Sequence, residues 1–234
     1  MAEPASEGLL VRIGPGPAAG AAPDSASAGA GRARRRTAIV LAATELFLRQ
    51  GYQATSTEQI ASAAAVSKQT VYNQFGDKEA LFREIILGVT ATAEAFAEEL
   101  PQAFARIRTA TDVAPTLEEL ARRWLAAVTD PQVLALRRLV VSEATRFPDL
   151  AATYYRRAPA RVLDVLAAQL QWLHEHGLLA VDRPDRAADD LAFLLLGRTL
   201  DHGMFHTADD ATGVAVEDLA HHGVTVFLAA YRAD

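Results

Sequence analysis

The sequence contains no cysteine, which excludes disulfide bonds, a thiolate nucleophile and a zinc site with cysteine ligands. It also has no apolar run near the ~18 residues needed to cross a bilayer, so a membrane span is excluded. Residues 1–31 lack the apolar core of a secretory signal, and we expect a cytoplasmic protein. They are rich in Ala, Gly and Pro without helical or strand periodicity, so we expect a disordered tail.

Strand patterns are also missing. From Arg32 onward, apolar residues recur at the spacing of a helix face, and capping residues, Gly and Pro divide this pattern into about nine helices. An all-α fold is therefore predicted.

Lysine is scarce. Lys68 and Lys78 are the two lysines, and both lie in a basic part of a chain whose formal net charge is −6. Residues 32–83 carry eight basic and four acidic side chains, whereas residues 84–234 carry fourteen and twenty-two. This asymmetry is typical of a small polyanion-binding head attached to a body that binds another partner.

The basic part begins with three predicted helices, of which the third is very short. Ser56 is the N-cap of the second helix, and Gln59 completes a capping box. Ser67 is the N-cap of the third, where Val71 and Phe75 face inward at i and i+4. Two turns of helix are marginal alone in water, and a short helix braced by two others is typical of a recognition helix in the DNA major groove.

These helices carry the motifs of a known family. The stretch IVLAATELFLRQGYQATSTEQIASAAAVSKQTVYNQFGDKEALF, residues 39–82, resembles the helix-turn-helix domain of the TetR family of bacterial regulators. It contains A-x-x-L-F-x-x-x-G-Y, T-S-x-x-x-I-A, V-S-x-x-T-x-Y-x-x-F and K-E-x-L. RRLVVSEATRFPDLA, residues 137–151, is similar to the AefR-like subtype.

The resemblance implies a domain organisation and one local departure. Residues 32–80 would form a helix-turn-helix DNA-binding domain, and residues 81–234 a helical effector-binding and dimerisation domain. Ala65 stands in the turn where the family often has Gly. A left-handed Ala costs ~1 kcal/mol, so this position is expected to be strained.

The resemblance also implies the DNA contacts. Thr55, Ser56 and Tyr72 would bind phosphates, as would Lys78, while Gln69, Thr70 and Asn73 would approach base edges. Lys68 would take a guanine or a phosphate, and the arginines at 32–36 form either a solvated linker or an arm along the DNA. The predicted DNA-binding residues are Arg35, Arg36, Thr55, Ser56, Lys68, Gln69, Thr70, Tyr72, Asn73 and Lys78.

The body should hold an effector pocket, for which the predicted residues are Phe96, Trp124, Leu139, Glu143, Phe147 and His202. Glu143 interrupts an apolar stripe, so it either pairs with a neighbouring arginine or serves a ligand. His202 either meets a ligand or is a hydrogen-bonded histidine of the core or interface. His202 and His206 have the i, i+4 spacing of a metal pair, but no third ligand is evident, and we predict no metal and no cofactor.

Apolar faces with small residues mark the last two helices, which the resemblance assigns to a homodimer interface. The predicted interface residues are Phe193, Leu196, Gly197, Leu200, Leu219, Gly223, Val226 and Phe227. Two heads at fixed spacing are also what an operator with two half-sites requires.

The function implied is that of a ligand-responsive DNA-binding transcriptional regulator. We expect a repressor that binds a palindromic operator as a homodimer and is released by a small-molecule effector. The alternatives are an activator, a co-repressor-dependent regulator, or a helical protein-interaction scaffold. The adjacent pairs Ser142–Glu143 and Asp201–His202 have no supporting catalytic motif, so no enzyme is predicted.

Overall fold

The computed structural model describes residues 23–205 and 215–233, with side chains described from residue 29 onward. Within these ranges the chain forms nine helices and no strand, apart from an isolated bridge between Leu179 and Arg232. The all-α prediction is confirmed. The helices are α1 Pro23–Ala54, α2 Thr57–Ala63, α3 Lys68–Phe75, α4 Lys78–Phe104, α5 Ala110–Val128, α6 Pro131–Ser142, α7 from Pro148 to Glu175, α8 Pro184–Phe205 and α9 Val216–Tyr231.

Two of the helices are irregular at a glycine or a proline. Helix α1 is interrupted at Gly51, whose φ of 82° lies in the left-handed region that favours glycine. Helix α7 consists of the α-helical segments Pro148–Tyr155 and Arg161–Glu175, joined by the π-helical turn Arg156–Ala160, which contains Pro159. The π turn accommodates a proline that cannot donate a helical hydrogen bond.

Some predicted boundaries were wrong. Helix α1 begins at Pro23, so residues 23–31, assigned to the disordered tail, are helical, while residues 1–22 lie outside the described residues. The sequence pattern of Pro115, Thr116 and Glu119 predicts a helix start there, but α5 begins near Thr109, because the Asp112 carboxylate accepts the Thr109 backbone N–H at 2.8 Å and caps the helix earlier. Hydrogen bonds from the Arg108 and Thr109 backbone lower the pKa of Asp112.

The described chain divides into two compact units. The first comprises the described residues up to Val89 together with Leu139–Leu150, and the second comprises Thr90–Arg138 together with the described residues from Ala151 onward. The first unit thus extends beyond the domain boundary predicted at residue 80 and recruits a segment far along the chain.

Aromatic packing explains the recruited segment. The Phe147 ring lies 5.0 Å from Tyr52 and 5.5 Å from Phe82, centroid to centroid, and Phe47 lies 5.4 Å from Phe82. All four rings are buried. The cluster is stabilised by the large apolar area that it buries and by the edge-to-face geometry of the Phe47–Phe82 and Tyr52–Phe147 pairs.

The core of the second unit is built mainly from α5, α7, α8 and α9, with Leu125, Leu170, Leu173 and Phe227 fully buried. No helix in the described ranges is both long and apolar enough to span a membrane.

Candidate nucleic-acid interface

Helix α2 begins at the predicted capping box. The Ser56 hydroxyl accepts the Gln59 backbone N–H at 3.1 Å, and the Gln59 side chain accepts the Ser56 N–H at 2.7 Å. Ile60 and Ala61 are buried and hold the helix against the rest of the first unit. The reciprocal cap fixes where α2 begins, and with it the turn that leads to α3.

The turn between α2 and α3 contains the strained residue that was predicted. Ala65 has a φ of 51°, and no other non-glycine residue in the described ranges has a positive φ. The Val66 N–H donates to the Ala61 carbonyl at 3.0 Å, and the Ala65 N–H donates to the Ser62 carbonyl at 3.1 Å. These bonds close the end of α2 in the manner of a left-handed C-cap, normally made with glycine.

Helix α3 presents a polar outer face. Its N-cap, Ser67, accepts the Thr70 N–H at 3.1 Å, and Val71 and Phe75 are buried on the inner side as predicted. Gln69, Tyr72 and Asn73 are exposed, and Gln69 Nε2 donates to Asn73 Oδ1 at 2.9 Å. Gln69 and Asn73 are therefore aligned as one hydrogen-bonding pair on the surface.

Lys68 lies at the start of this face with an acidic partner that sequence reasoning missed. Its ammonium group forms an ion pair with Glu58 of α2 and lies 5.5 Å from the Tyr72 ring centroid. The hydrogen bond between the two side chains lowers the pKa of Glu58 and raises the pKa of Lys68. The pair is exposed, so a phosphate can compete for the lysine in a high-dielectric setting.

Thr55 does not present its hydroxyl to solvent. The residue is 1% exposed, its Oγ1 donates to the Gly51 carbonyl at 2.8 Å, and it accepts from Gln50 Nε2 at 3.2 Å. The resemblance to the TetR family implied that it would bind phosphate. Instead, Thr55 closes the end of α1, since a hydroxyl next to the break at Gly51 satisfies a helix carbonyl. Ser56 remains half-exposed beside it.

Lys78 is also directed inward, although it was predicted to clamp a phosphate. Its ammonium group donates to the carbonyl oxygens of Tyr52 at 2.9 Å and Thr55 at 2.7 Å, and it lies 4.2 Å from the Tyr52 ring centroid. Burial lowers the pKa of Lys78 and the positive charge of Arg146 adds to this, while Glu143 opposes it. The cation compensates the negative end of the α1 dipole, where the Tyr52 carbonyl also accepts the Thr55 N–H at 3.3 Å.

The two predicted arginine contacts differ from each other. Arg35 is exposed, whereas Arg36 is half-buried. Arg36 donates from Nη1 to the Gln74 carbonyl at 3.0 Å, pairs with Glu84, and lies 4.4 Å above the Phe75 ring. Its guanidinium group is committed within the first unit, because three neighbours on two helices hold it there.

Family models match both parts of the chain. The model for bacterial regulatory proteins of the tetR family matches residues 39–85, and the model for the C-terminal domain of AefR-like transcriptional repressors matches residues 115–233. The chain belongs to the TetR family. Members of this family are DNA-binding transcription regulators and not enzymes, and the same holds for this chain.

Solved TetR structures share the fold. A crystal structure of a TetR-family regulator from Mesorhizobium loti MAFF303099 is 34% identical, with a TM-score of 0.75, and the match covers 86% of this chain and 98% of that one. The flavonoid-responsive regulator FrrA is 31% identical with a TM-score of 0.63, over 85% of this chain and 97% of FrrA.

A curated relative matches over a shorter span. The HTH-type transcriptional regulator HbdR of Aromatoleum sp. (strain CIB) is 38% identical over 68 residues, 29% of this chain and 28% of HbdR. The matched part is thus less than a third of the length of that relative.

The second unit of this TetR-family chain contains a small apolar cavity. Its volume is about 20 Å³, close to the space of one water molecule. Phe96 and Trp124, both predicted for the effector pocket, line it with their rings stacked 6.1 Å apart. The lining residues are all apolar: Phe96, Leu100, Leu117, Leu120, Ala121, Trp124, Val162, Leu166, Leu191 and Leu195.

The other predicted pocket residues do not line this cavity. Leu139, Glu143 and Phe147 belong to the first unit, because α6 ends at Ser142 and the following turn packs Phe147 among the aromatic rings described above. Glu143 is half-buried and forms no ion pair with any residue in the described ranges. The expected ion pair with a neighbouring arginine is therefore not formed among these residues. His202 is half-buried in the last turn of α8.

No group of three or more His, Asp or Glu able to hold a metal ion occurs among residues 23–205 and 215–233. His206, half of the pair considered above, lies outside the described residues.

The predicted interface residues fall into two groups. Phe193 is 75% exposed and Val226 is 38% exposed, while Leu196, Gly197, Leu200 and Leu219 are half-exposed. Gly223 and Phe227 are buried within the subunit instead: a Cβ at Gly223 would lie 2.8 Å from Leu195 Cδ2, and Phe227 is fully buried. Gly223 faces Leu195 of α8, and Phe227 belongs to the core of the second unit.

Proposed function

We propose that the protein is a homodimeric repressor that binds an inverted-repeat operator and is released by a small, apolar effector. The observation that supports this most directly is α3. This helix has two turns, a capped N-terminus, two buried anchors and an outer face of hydrogen-bonding side chains. A helix of that kind suits the major groove, where donors and acceptors distinguish all four base pairs. A protein that acts on DNA in this way would work in the cytoplasm.

A dimer is favoured by an exposed apolar face on the last two helices. Phe193 and Leu194 on α8 and Val226 on α9 are exposed large apolar residues, and Gly197, one turn after Phe193, leaves room for close approach. Burying such a face against a second copy would remove it from water. The isologous interface of a two-fold dimer would then give the operator its dyad symmetry.

The cavity supports an uncharged effector. An ionised ligand among apolar lining residues would lack partners and would be expensive to desolvate. The nearly parallel rings of Phe96 and Trp124 suit a flat aromatic molecule, once the lining side chains separate to admit it. The similar regulator FrrA is flavonoid-responsive, and flavonoids are flat aromatic molecules of this kind. An effector acts only through its different affinity for the two states of the dimer.

The experiment begins with selection of the operator from random DNA. A panel of flat aromatic compounds, flavonoids included, is then screened for release of the complex. The chain has two tryptophans, Trp124 in the cavity and Trp172 outside it, so each serves as the control for the other. A releasing compound should change the emission of the Trp172→Phe variant and leave that of Trp124→Phe unchanged.

The opposite fluorescence result would place the effector elsewhere. Tighter operator binding in the presence of the compound would indicate the co-repressor alternative. Increased transcription from the selected site on adding the protein would indicate an activator. Absence of any salt-dependent DNA binding would leave the scaffold alternative.

A further inference from the structure

We infer that Arg36 is a positioning residue that sets the orientation of α3 and connects it to α4, and that it does not bind DNA itself. The inference rests on the proposed operator reading by α3. The sequence instead predicts that Arg36 binds DNA.

The contacts of Arg36 join three helices of the first unit. The residue belongs to α1, and its Nη1 donates to the Gln74 carbonyl near the end of α3 at 3.0 Å. Its guanidinium carbon lies 4.4 Å above the ring of Phe75, the last residue of α3. Its Nη2 pairs with Glu84 of α4. One planar group therefore contacts α3 twice and α4 once.

The end of α3 needs such a partner. The last carbonyls of a helix have no intrahelical donor, and the negative end of the helix dipole favours a cation there. Gly76, with a φ of 83°, turns the chain away and donates to the Tyr72 carbonyl at 2.8 Å, which leaves the Gln74 carbonyl to Arg36. Because α3 is only eight residues long, its ends determine how it is held.

Only an arginine can make this set of contacts. The flat guanidinium group stacks on the Phe75 ring while its edge donates to the carbonyl on one side and to the carboxylate on the other. A lysine has the charge but neither the stacking plane nor the fork. Exchange of Arg36 for Lys should thus free the end of α3 without a change of net charge.

The burial and charge of Arg36 separate this role from phosphate binding. Its side chain is 27% exposed and its charge is compensated by Glu84. Arg35, the preceding residue, is exposed and is the matched control. A positioning residue should affect affinity for the operator alone, whereas a phosphate contact contributes to every DNA and to the salt dependence.

The test compares Arg36→Lys, Arg36→Gln and Arg35→Gln against wild type. Affinity for the selected operator and for a scrambled duplex of equal length is measured across a salt series. We expect both Arg36 variants to lose about tenfold or more on the operator, the size of one lost base contact. Their affinity for the scrambled duplex should stay within about twofold, and its salt slope should not change. Arg35→Gln should weaken both duplexes in the same ratio if it contacts phosphate.

Glu84→Gln supplies an independent variant that keeps the arginine. If Arg36 is held by Glu84, this variant should lose operator selectivity in the same direction. If Glu84 only shields a phosphate-binding arginine, Glu84→Gln should bind the scrambled duplex more tightly, which would overturn the inference. A salt slope for Arg36→Gln that falls by about one unit per protomer would also overturn it.

Amide hydrogen exchange in the free protein tests the positioning role of Arg36 without DNA. Arg36→Lys should speed exchange at the backbone N–H groups of residues 71–76 and leave Ile60 and Ala61 in α2 unchanged. Equal protection in wild type and variant would refute the inference. A failure to select any operator would refute the proposed function. The exchange result would still show whether Arg36 holds the end of α3.

Discussion

The ammonium group of Lys78 lies 2.7 Å from the main-chain carbonyl oxygen of Thr55. A residue from the start of α4 thus closes the end of α1, where its ammonium group donates to the Thr55 carbonyl and adds a second donor to the Tyr52 carbonyl, which also accepts the Thr55 N–H at 3.3 Å. Both residues were predicted to bind phosphate, and the structure directs them toward each other. Charged and polar side chains that were predicted to contact DNA therefore stabilise the part of the first unit that supports α3.

The first prediction compares the two lysines of the chain. Lys78→Met should destabilise the protein by about 1–3 kcal/mol, because it leaves buried carbonyls without a charged donor. It should leave the salt slope of scrambled-DNA binding unchanged. Lys68→Met should do the reverse, with little loss of stability and a slope smaller by about one unit per protomer. Urea denaturation and a salt titration on one duplex measure both. A lower slope for Lys78→Met would restore its role as a phosphate clamp.

The second prediction concerns the strained turn. Ala65 has a φ of 51°, so Ala65→Gly should stabilise the protein by about 1 kcal/mol through relief of the left-handed conformation. The neighbouring Ala64 has a φ of −81° and serves as the matched control. Ala64→Gly should destabilise by about 0.5–1 kcal/mol, since glycine gains nothing there and costs chain entropy. Urea denaturation measures both free energies of unfolding. If Ala65→Gly destabilises the protein as Ala64→Gly does, the turn is not strained.

The third prediction is a pH dependence in the second unit. The hydroxyl of Tyr231 on α9 donates to the carboxylate of Asp190 on α8 at 2.6 Å, and this hydrogen bond raises the pKa of Tyr231 to about 12. The folded protein therefore holds the phenol proton more tightly than the unfolded chain, whose tyrosine titrates near 10.0. The stabilisation is fully present below pH 10 and is lost as the pH rises to about 12.

The corresponding variant is Tyr231→Phe. It should lower the free energy of unfolding by about 1 kcal/mol at neutral pH, a modest value because the pair is near the surface. Its difference from wild type should disappear as the pH approaches 12. Tyr155→Phe, at an exposed tyrosine of α7, is the control and should change little at any pH. A difference for Tyr231→Phe that stays constant up to pH 12 would exclude the hydrogen bond as its cause.

Local signals in the sequence predicted much of this fold. The capping box of Ser56 and Gln59, the cap at Ser67 and the inward pair Val71 and Phe75 each depend on residues within four positions of one another, and all are confirmed. Their energies are set by helix geometry, which the pattern expresses directly.

The inward polar groups could not be predicted in the same way. Whether Arg36 meets a phosphate or Glu84, 48 positions away, depends on how three helices pack, and the same residue type suits both. Phe147 was assigned to the effector pocket because an apolar stripe does not tell which unit will bury it. One signal was available: Glu84 lies six residues after the start of α4 and has no basic residue three or four positions after it, so a partner from elsewhere in the chain can pair with it.

Base preference tests the account most directly. Gln69, Thr70 and Asn73 include no arginine, the commonest guanine reader, whereas Asn and Gln pair best with adenine and the Thr methyl packs on thymine. The bond from Gln69 to Asn73 aligns the two amides as a pair, so we expect Gln69→Ala and Asn73→Ala to be less than additive. The Tyr72→Phe variant should weaken binding to all sequences alike if its hydroxyl meets phosphate.

The measurement is selection from random DNA with wild type and Asn73→Ala in parallel at matched salt. Wild type should return an inverted repeat whose half-site centres favour A·T pairs, with at most one strongly required guanine in each. Asn73→Ala should relax one pair in each half-site, symmetrically, at a cost of about 1–3 kcal/mol per lost contact. Identical motifs for the two proteins, a site without a dyad, or a uniformly G·C half-site centre would contradict α3 as the reading surface of a dimer.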